Sequence, residues 1–136
     1  MKHIKLRNKL KFIVLFLTLI VVVVSIIIGL IIKILPKYEG EYNIDDYARR
    51  IEMGYKSSQT YPPIKSQYDA CEIACVVLNE AYPEKNLSLF DLYYKKKVYY
   101  DQHSDTWLVW FSPPVDVLDG GFTCIISSDG TVISCW

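Results

Sequence analysis

The chain has 136 residues, with 15 Lys/Arg against 15 Asp/Glu, and its formal net charge of zero hides an uneven split. Residues 1–37 hold seven Lys/Arg and no acid, whereas residues 38–136 hold eight against fifteen, a net of −7. So acidic a C-terminal part excludes a general grip on nucleic-acid phosphates, and its 99 residues allow one small core rather than several domains.

Residues 12–32 are 21 residues of Phe, Ile, Val, Leu, Thr, Ser and Gly without a charge. At about 1.5 Å per residue this run matches the roughly 30 Å hydrocarbon core of a bilayer. A helix apolar on every side cannot be buried by so short a chain. The pattern predicts a basic cytoplasmic arm over 1–11 and a transmembrane helix over 12–35. Lys2, Lys5, Arg7, Lys9 and Lys11 precede the run, and only Lys33 and Lys37 follow closely. The denser cationic side stays in the cytoplasm, so the expected placement is a single-pass protein of the cytoplasmic membrane with its C-terminal domain outside. The run exceeds the ~7–15 residues of a cleavable signal core, and no Ala precedes Ala48 to favour cleavage. An uncleaved anchor is expected.

Residues 36–42 read as a linker, and 43–136 as the domain. Asn43 is placed to cap a helix over 44–53, with Asp45 and Asp46 in its first turn and Gly54 at its close. Ile44, Tyr47, Ala48, Ile51 and Tyr55 make one apolar face. Residues 57–63 are a loop. A second helix is predicted over 67–82, opened by Ser66 with Asp69 and stopped by Pro83. Its apolar face includes Cys71, Ala74, Cys75, Leu78 and Tyr82. Beyond Asn86 the period changes. Strands are predicted over 89–100, 106–111, 122–127 and 131–136, joined by hairpin turns at 102–105 and 127–130 and a longer loop at 112–121. Two helices followed by four antiparallel strands make an α+β domain.

Along the second of these strands, Trp107 and Val109 share a face and Leu108 and Trp110 the other; Trp107 is expected to anchor the core. Gly120-Gly121 gives a sharp start or bulge to the next strand, and Asp129-Gly130 a hairpin turn. Cys71 and Cys75, four apart on a helix, pair poorly with each other. Cys124 and Cys135 flank the last turn. If Ser128 pairs with Thr131, Cys124 faces Cys135 and a cross-strand disulfide forms; if a bulge pairs Ser127 with Thr131, the two point to opposite faces. Both registers are open. An oxidising compartment outside the membrane favours disulfides. The cysteine spacings match no usual zinc site. His103, between Asp101 and Asp105, reads as a solvated turn residue, and no nucleophile–base pair is evident. The stripe YYKKKVYY (93–100) interleaves Lys with Tyr; it reads as an edge strand whose lysines oppose aggregation and whose tyrosines offer a protein contact.

Three fragments in order carry a resemblance: DACEIACVVLNEAY (69–82), DTWLVW (105–110) and GGFTCIISSDGTVISCW (120–136). Residues 62–136 thereby resemble the bacterial immunity proteins with a nuclear transport factor 2 fold, from polymorphic toxin systems. Pro83 and the pair Trp110-Phe111 depart from the family's usual Gly and small residue. The resemblance implies a cone-like domain, two helices packed on a curved four-stranded antiparallel sheet. It also implies an activity, the binding and occlusion of a cognate toxin protein, with no catalytic residue, metal or cofactor. Tyr93, Tyr94, Trp110 and Asp91 are the candidate partner-binding residues. The competing expectations are a non-catalytic envelope module that regulates or scaffolds another membrane protein, and a small enzyme using Asp91 as a mid-strand acid.

Overall fold

The fold is that of a computed structural model, which describes residues 2–114 and 120–136, with side chains described from residue 8 onward. The centre of the expected 112–121 loop lies outside the described residues. The chain divides into two compact units, residues 1–33 and 34–136.

The first unit is a helix. Helix α1, Lys2–Ile34, runs without a break from the basic residues into the apolar run. Its segment Asn8–Ile34 has a mean hydropathy of 3.3 and is long and apolar enough to cross a membrane. The two hydroxyls in the run do not stay unpaired: Thr18 and Ser25 donate 2.8 Å bonds to the carbonyls of Val14 and Val21, respectively, one turn back.

The second unit is a mixed α+β domain built on one five-stranded sheet, not four strands. The strands are β1 (Lys37–Glu41), β2 (Lys95–Asp101), β3 (Thr106–Ser112), β4 (Phe122–Ser127) and β5 (Val132–Cys135), in that spatial order. The extra strand is the expected linker. It lies parallel to β2, Lys37 opposite Lys97 and Tyr38 opposite Val98, with a bulge at Gly40, whose φ is +132°. Its KYEGE sequence is mostly exposed and shows no apolar alternation, so only the partner strand reveals it. The other neighbours are antiparallel. Strand β2 starts at Lys95, not at 89, because the preceding residues fold into turns. There Asn79 of the second long helix takes the Leu87 N–H and returns a bond to its carbonyl, each 2.6 Å. The stripe 93–100 is therefore no edge strand: β2 sits between β1 and β3.

The predicted helix over 44–53 is split. A 3₁₀ turn, Ile44–Tyr47, precedes helix α2, Ala48–Met53. The Asn43 side chain accepts from the Asp45 amide, while the Ile44 amide is drawn instead to the Asp101 carboxylate, 3.2 Å away. That tether to the sheet tightens the first turn. Gly54 ends α2 with extended backbone rather than a left-handed cap. Here the glycine answers to space: a Cβ would lie 2.0 Å from Ser134 Oγ and 2.8 Å from the Cys135 carbonyl. The expected loop 57–63 then runs beside β5. Tyr55 exchanges main-chain bonds with Cys135, Tyr61 donates to Gly130, and Ile64 to Ser128, so the free edge of the sheet is covered.

Helix α3, Gln67–Ala81, is capped by Ser66, whose hydroxyl accepts from the Asp69 amide, while Asp69 accepts from the Lys65 amide. It lays Ala70, Cys71, Ala74, Val77 and Leu78 on the sheet face formed by Val98, Val109, Phe111, Cys124, Ile126 and Cys135. Phe111 is the largest fully buried side chain of this core. Trp107 is only half-buried at its margin, its indole donating to Ser128 Oγ at 3.1 Å. The anchor role expected of Trp107 thus falls to Phe111. On the opposite face Leu108, Ile125 and Ser134 are buried, with Tyr47 against Trp136 and Gly54 against Ser134. The helices therefore lie on opposite faces of the sheet. Strict alternation makes both faces of the central strands apolar, and each face needs a cover.

Candidate partner-binding surface

The four candidate residues do not form one cluster. Asp91, Tyr93 and Tyr94 sit together ahead of β2, so Asp91 is not a mid-strand acid. Its carboxylate accepts from the Tyr93 amide at 2.7 Å, and its carbonyl accepts from the buried Lys96 ammonium. Burial pushes the Lys96 amine down from its ordinary value. The Tyr93 and Tyr94 rings meet edge-on at 4.9 Å, and Tyr94 packs on Phe122. Trp110 lies on the other face of the sheet with the Lys97 ammonium 4.9 Å above its ring. Gly121 is required there, since a Cβ would stand 2.6 Å from the Trp110 indole nitrogen; the Gly-Gly pair makes room for this ring.

Trp110 instead lines a cleft of about 690 Å³ with Glu41, Tyr42, Asp46, Tyr47, Arg50, Tyr99 and Leu108 among others. A shallower depression bounded by Glu41, Tyr42, Asp101, Gln102 and His103 adjoins it. Tyr42 is fixed by a 2.5 Å bond between its hydroxyl and Thr106 Oγ1, and burial pushes its pKa up to about 12. These residues escaped the sequence reading because 36–42 looked like a linker. Pairing of β1 with β2 delivers Glu41 beside Tyr100 and carries the chain on to Tyr42 and Tyr47.

The end of the sheet next to this cleft is rich in carboxylates. Asp101 ends β2 and binds the Ser104 hydroxyl at 2.8 Å and the amides of Ile44 and His103. Those bonds, the Ser104 hydroxyl first, hold its carboxyl below the ordinary value. Asp105 is held low by Ser128 and by the Tyr100 hydroxyl, which donates at 2.6 Å. Asp129 is held low by the Thr131 amide. Bonds to the charged form keep all three ionised into acid. Glu41, Asp45 and Asp46 lie exposed nearby. Aromatic rings backed by fixed carboxylates suit a cationic side chain of a protein partner. Among the described residues no group of three or more His, Cys, Asp or Glu is placed to hold a metal.

The last hairpin contains both registers in succession. Next to the turn, Ser127 donates to Thr131 and Ile126 faces Val132. Ile133 is then the extra residue of a bulge, after which Ile125 faces Ser134 and Cys124 faces Cys135. Those two cysteines form a disulfide with Cα atoms 4.1 Å apart. Cys71 and Cys75 are buried free thiols. A hydrogen bond to Cys75, and then burial, push the Cys71 thiol up, which keeps it neutral and unreactive.

No family model, curated protein or solved structure matches this chain.

Proposed function

We propose that the chain is an immunity protein, anchored in the bacterial cytoplasmic membrane by α1 with its N-terminus inside, whose outward domain binds a cognate toxin and blocks it by occlusion. The observation that carries the reading is the pairing of an aromatic cleft, Trp110 with Tyr42 and Tyr47, with the carboxylates of Glu41 and Asp46 in its wall and Asp101 in the depression beside it. A basic toxin face meets charge complementarity at the rim and large rigid rings at the centre, the division of labour of protein interfaces. The resemblance of residues 62–136 to immunity proteins of polymorphic toxin systems supports the same reading, as does the cationic excess before the apolar run.

The test is bacterial survival under expression of the toxin encoded beside this chain, with and without the chain. Equal killing in both cases refutes the proposal. Capture in mild detergent of an integral membrane protein, with no toxin bound, favours an envelope module that regulates or scaffolds that protein. Trp110→Ala is expected to weaken toxin binding by roughly 30-fold, the size of an aromatic hot spot, as read by calorimetry in detergent.

A further inference from the structure

The parallel pairing of β1 with β2 fixes which end of the sheet lies near the anchor. Lys37 opens β1 and stands opposite Lys97, near the start of β2. The ladder continues Lys95 to Ser112 and Phe111 to Phe122. The starts of β1, β2 and β4 and the end of β3 are thus at one end. Lys37 follows Ile34, the last residue of the span, by three residues. At about 3.3–3.6 Å per residue, covalent reach alone holds Lys37 within roughly 11 Å of Ile34. The carboxylate-rich end, at Asp101, Asp105 and Asp129, is the opposite one.

The near end has two further properties. It carries the exposed apolar side chains Phe90, Leu92 and Tyr93, at 70%, 76% and 57% exposure; outside α1 only Met53, among the described residues, is comparable. They are presented by a built loop: Asp91 accepts from Tyr93 and donates its amide to Ser88, and Lys96 braces the Asp91 carbonyl. This end also gathers Lys85, Lys95, Lys96 and Lys97, four of the eight cationic residues in 38–136. Glu39, which pairs with Lys37 at 3.1 Å, Glu84 and Asp91 offset them in part. Apolar and aromatic side chains flanked by lysines make the composition that seats at a bilayer interface.

We infer that the 88–95 loop is a second membrane contact: Phe90, Leu92 and Tyr93 enter the interface of an anionic phospholipid bilayer while Lys85 and Lys95, both exposed, meet its headgroups. This contact rests on α1 spanning the membrane and is independent of the toxin-binding reading. It makes Tyr93 a lipid-facing residue.

The test uses the full chain in nanodiscs. Leu92→Trp adds one tryptophan, read as the difference from the wild type. Val76→Trp, on the exposed side of α3, is the control; both replaced side chains are exposed, so the fold is kept. In discs of phosphatidylcholine and phosphatidylglycerol brominated high on the acyl chains, the Leu92→Trp signal is expected to fall to roughly half, the loop tip sitting ~5–10 Å into the interface, with Val76→Trp unchanged. Adding Lys85→Glu and Lys95→Glu is expected to restore much of the signal. Quenching of Leu92→Trp no greater than that of Val76→Trp overturns the inference. Equal quenching in purely zwitterionic discs overturns the role given to the lysines. Shielding that arises only when a protein partner is added overturns it in favour of a protein contact.

Discussion

Gly54→Ala isolates the contact that seats α2, and with it one wall of the cleft. The new methyl would stand 2.0 Å from Ser134 Oγ, 2.8 Å from the Cys135 carbonyl and 3.2 Å from the Arg50 carbonyl. The hydroxyl can rotate away, but the two carbonyls are main chain, and Cys135 is held by its exchange of bonds with Tyr55, 2.6 and 2.8 Å. Relief therefore requires moving the strand or the helix. Overpacking of this kind costs about 1–3 kcal/mol. For a domain of this size each kcal/mol lowers the melting temperature by about 4–8 °C, so a loss of roughly 4 °C at the least and about 24 °C at the most is expected. Near-ultraviolet circular dichroism of the full chain in mild detergent follows the melt, since Trp136 lies in the affected layer against Tyr47. Gly40→Ala is the contrast: nothing lies within 4 Å of its Cβ, yet φ is +132°, so it carries backbone strain of about 1 kcal/mol without a clash. A Gly54→Ala protein that melts within about 2 °C of the wild type would refute the claim that space, not conformation, demands this glycine.

Asn79→Ala leaves the Leu87 amide and carbonyl without their 2.6 Å partners and is expected to cost about 2–4 kcal/mol in denaturant unfolding, whereas Asn79→Asp, which keeps only the acceptor, loses part of that. Asp101, Asp105 and Asp129 all have folded-state pKa values below the ordinary carboxylate value. The unfolded chain therefore takes up these protons first, so their stabilisation is complete above the ordinary value of ~3.9 and is lost as pH falls through the depressed ones. Asp101→Asn, which keeps an oxygen acceptor but cannot titrate, is expected to flatten that acid limb in melts taken below pH ~4. The Cys124–Cys135 disulfide spans a separation of 11 residues, and the chain-entropy estimate for so short a loop is about 3 kcal/mol. Alkylation of protein unfolded straight from membranes, without reductant, is expected to label Cys71 and Cys75 alone. Four labelled cysteines would place the domain in a reducing compartment and reverse the proposed orientation.

What was legible in the sequence follows from periodicity. The apolar run, the helix from Gln67 and the strands after Asp101 each carry a strong repeat; the bounds of that helix and those strands move by only a residue or two, while α1 extends back through the basic arm to Lys2. Where no repeat exists the reading failed. KYEGE is paired on one side only, so no face is buried and no alternation is written into it. Residues 89–94 are apolar and aromatic like a strand, but Asn79 and Asp91 bind their main chain locally and divert it into turns. The split of the 44–53 helix depends on Asp101, 57 residues away, which no local window contains. The cleft was hidden for the same reason. Its walls come from β1, the 3₁₀ turn, β2 and β3, and only the topology brings them together. The hairpin posed a choice between two registers, and the bulge at Ile133 satisfies both: the Asp-Gly turn keeps its own pairing, and the extra residue returns Cys135 to the face of Cys124.

One strand pairing organises the rest. Because β1 runs parallel to β2, the chain leaves the apolar helix at the lysine-bearing end of the sheet and arrives, one strand length later, at Glu41, among the carboxylates. An antiparallel β1 of the same sequence would put Glu41 beside Lys97 and Lys37 beside Asp101, and the domain would lose its axis of charge. Within the domain the charge is thus polarised along the sheet: a lysine-flanked apolar loop stands at one end and a carboxylate-rich end about one strand length, or some 20 Å, away. With a Debye length of ~8 Å, charges at one end of the sheet are largely screened from those at the other. The two ends can therefore attract oppositely charged surfaces independently, which a domain with its lysines and carboxylates intermixed could not do.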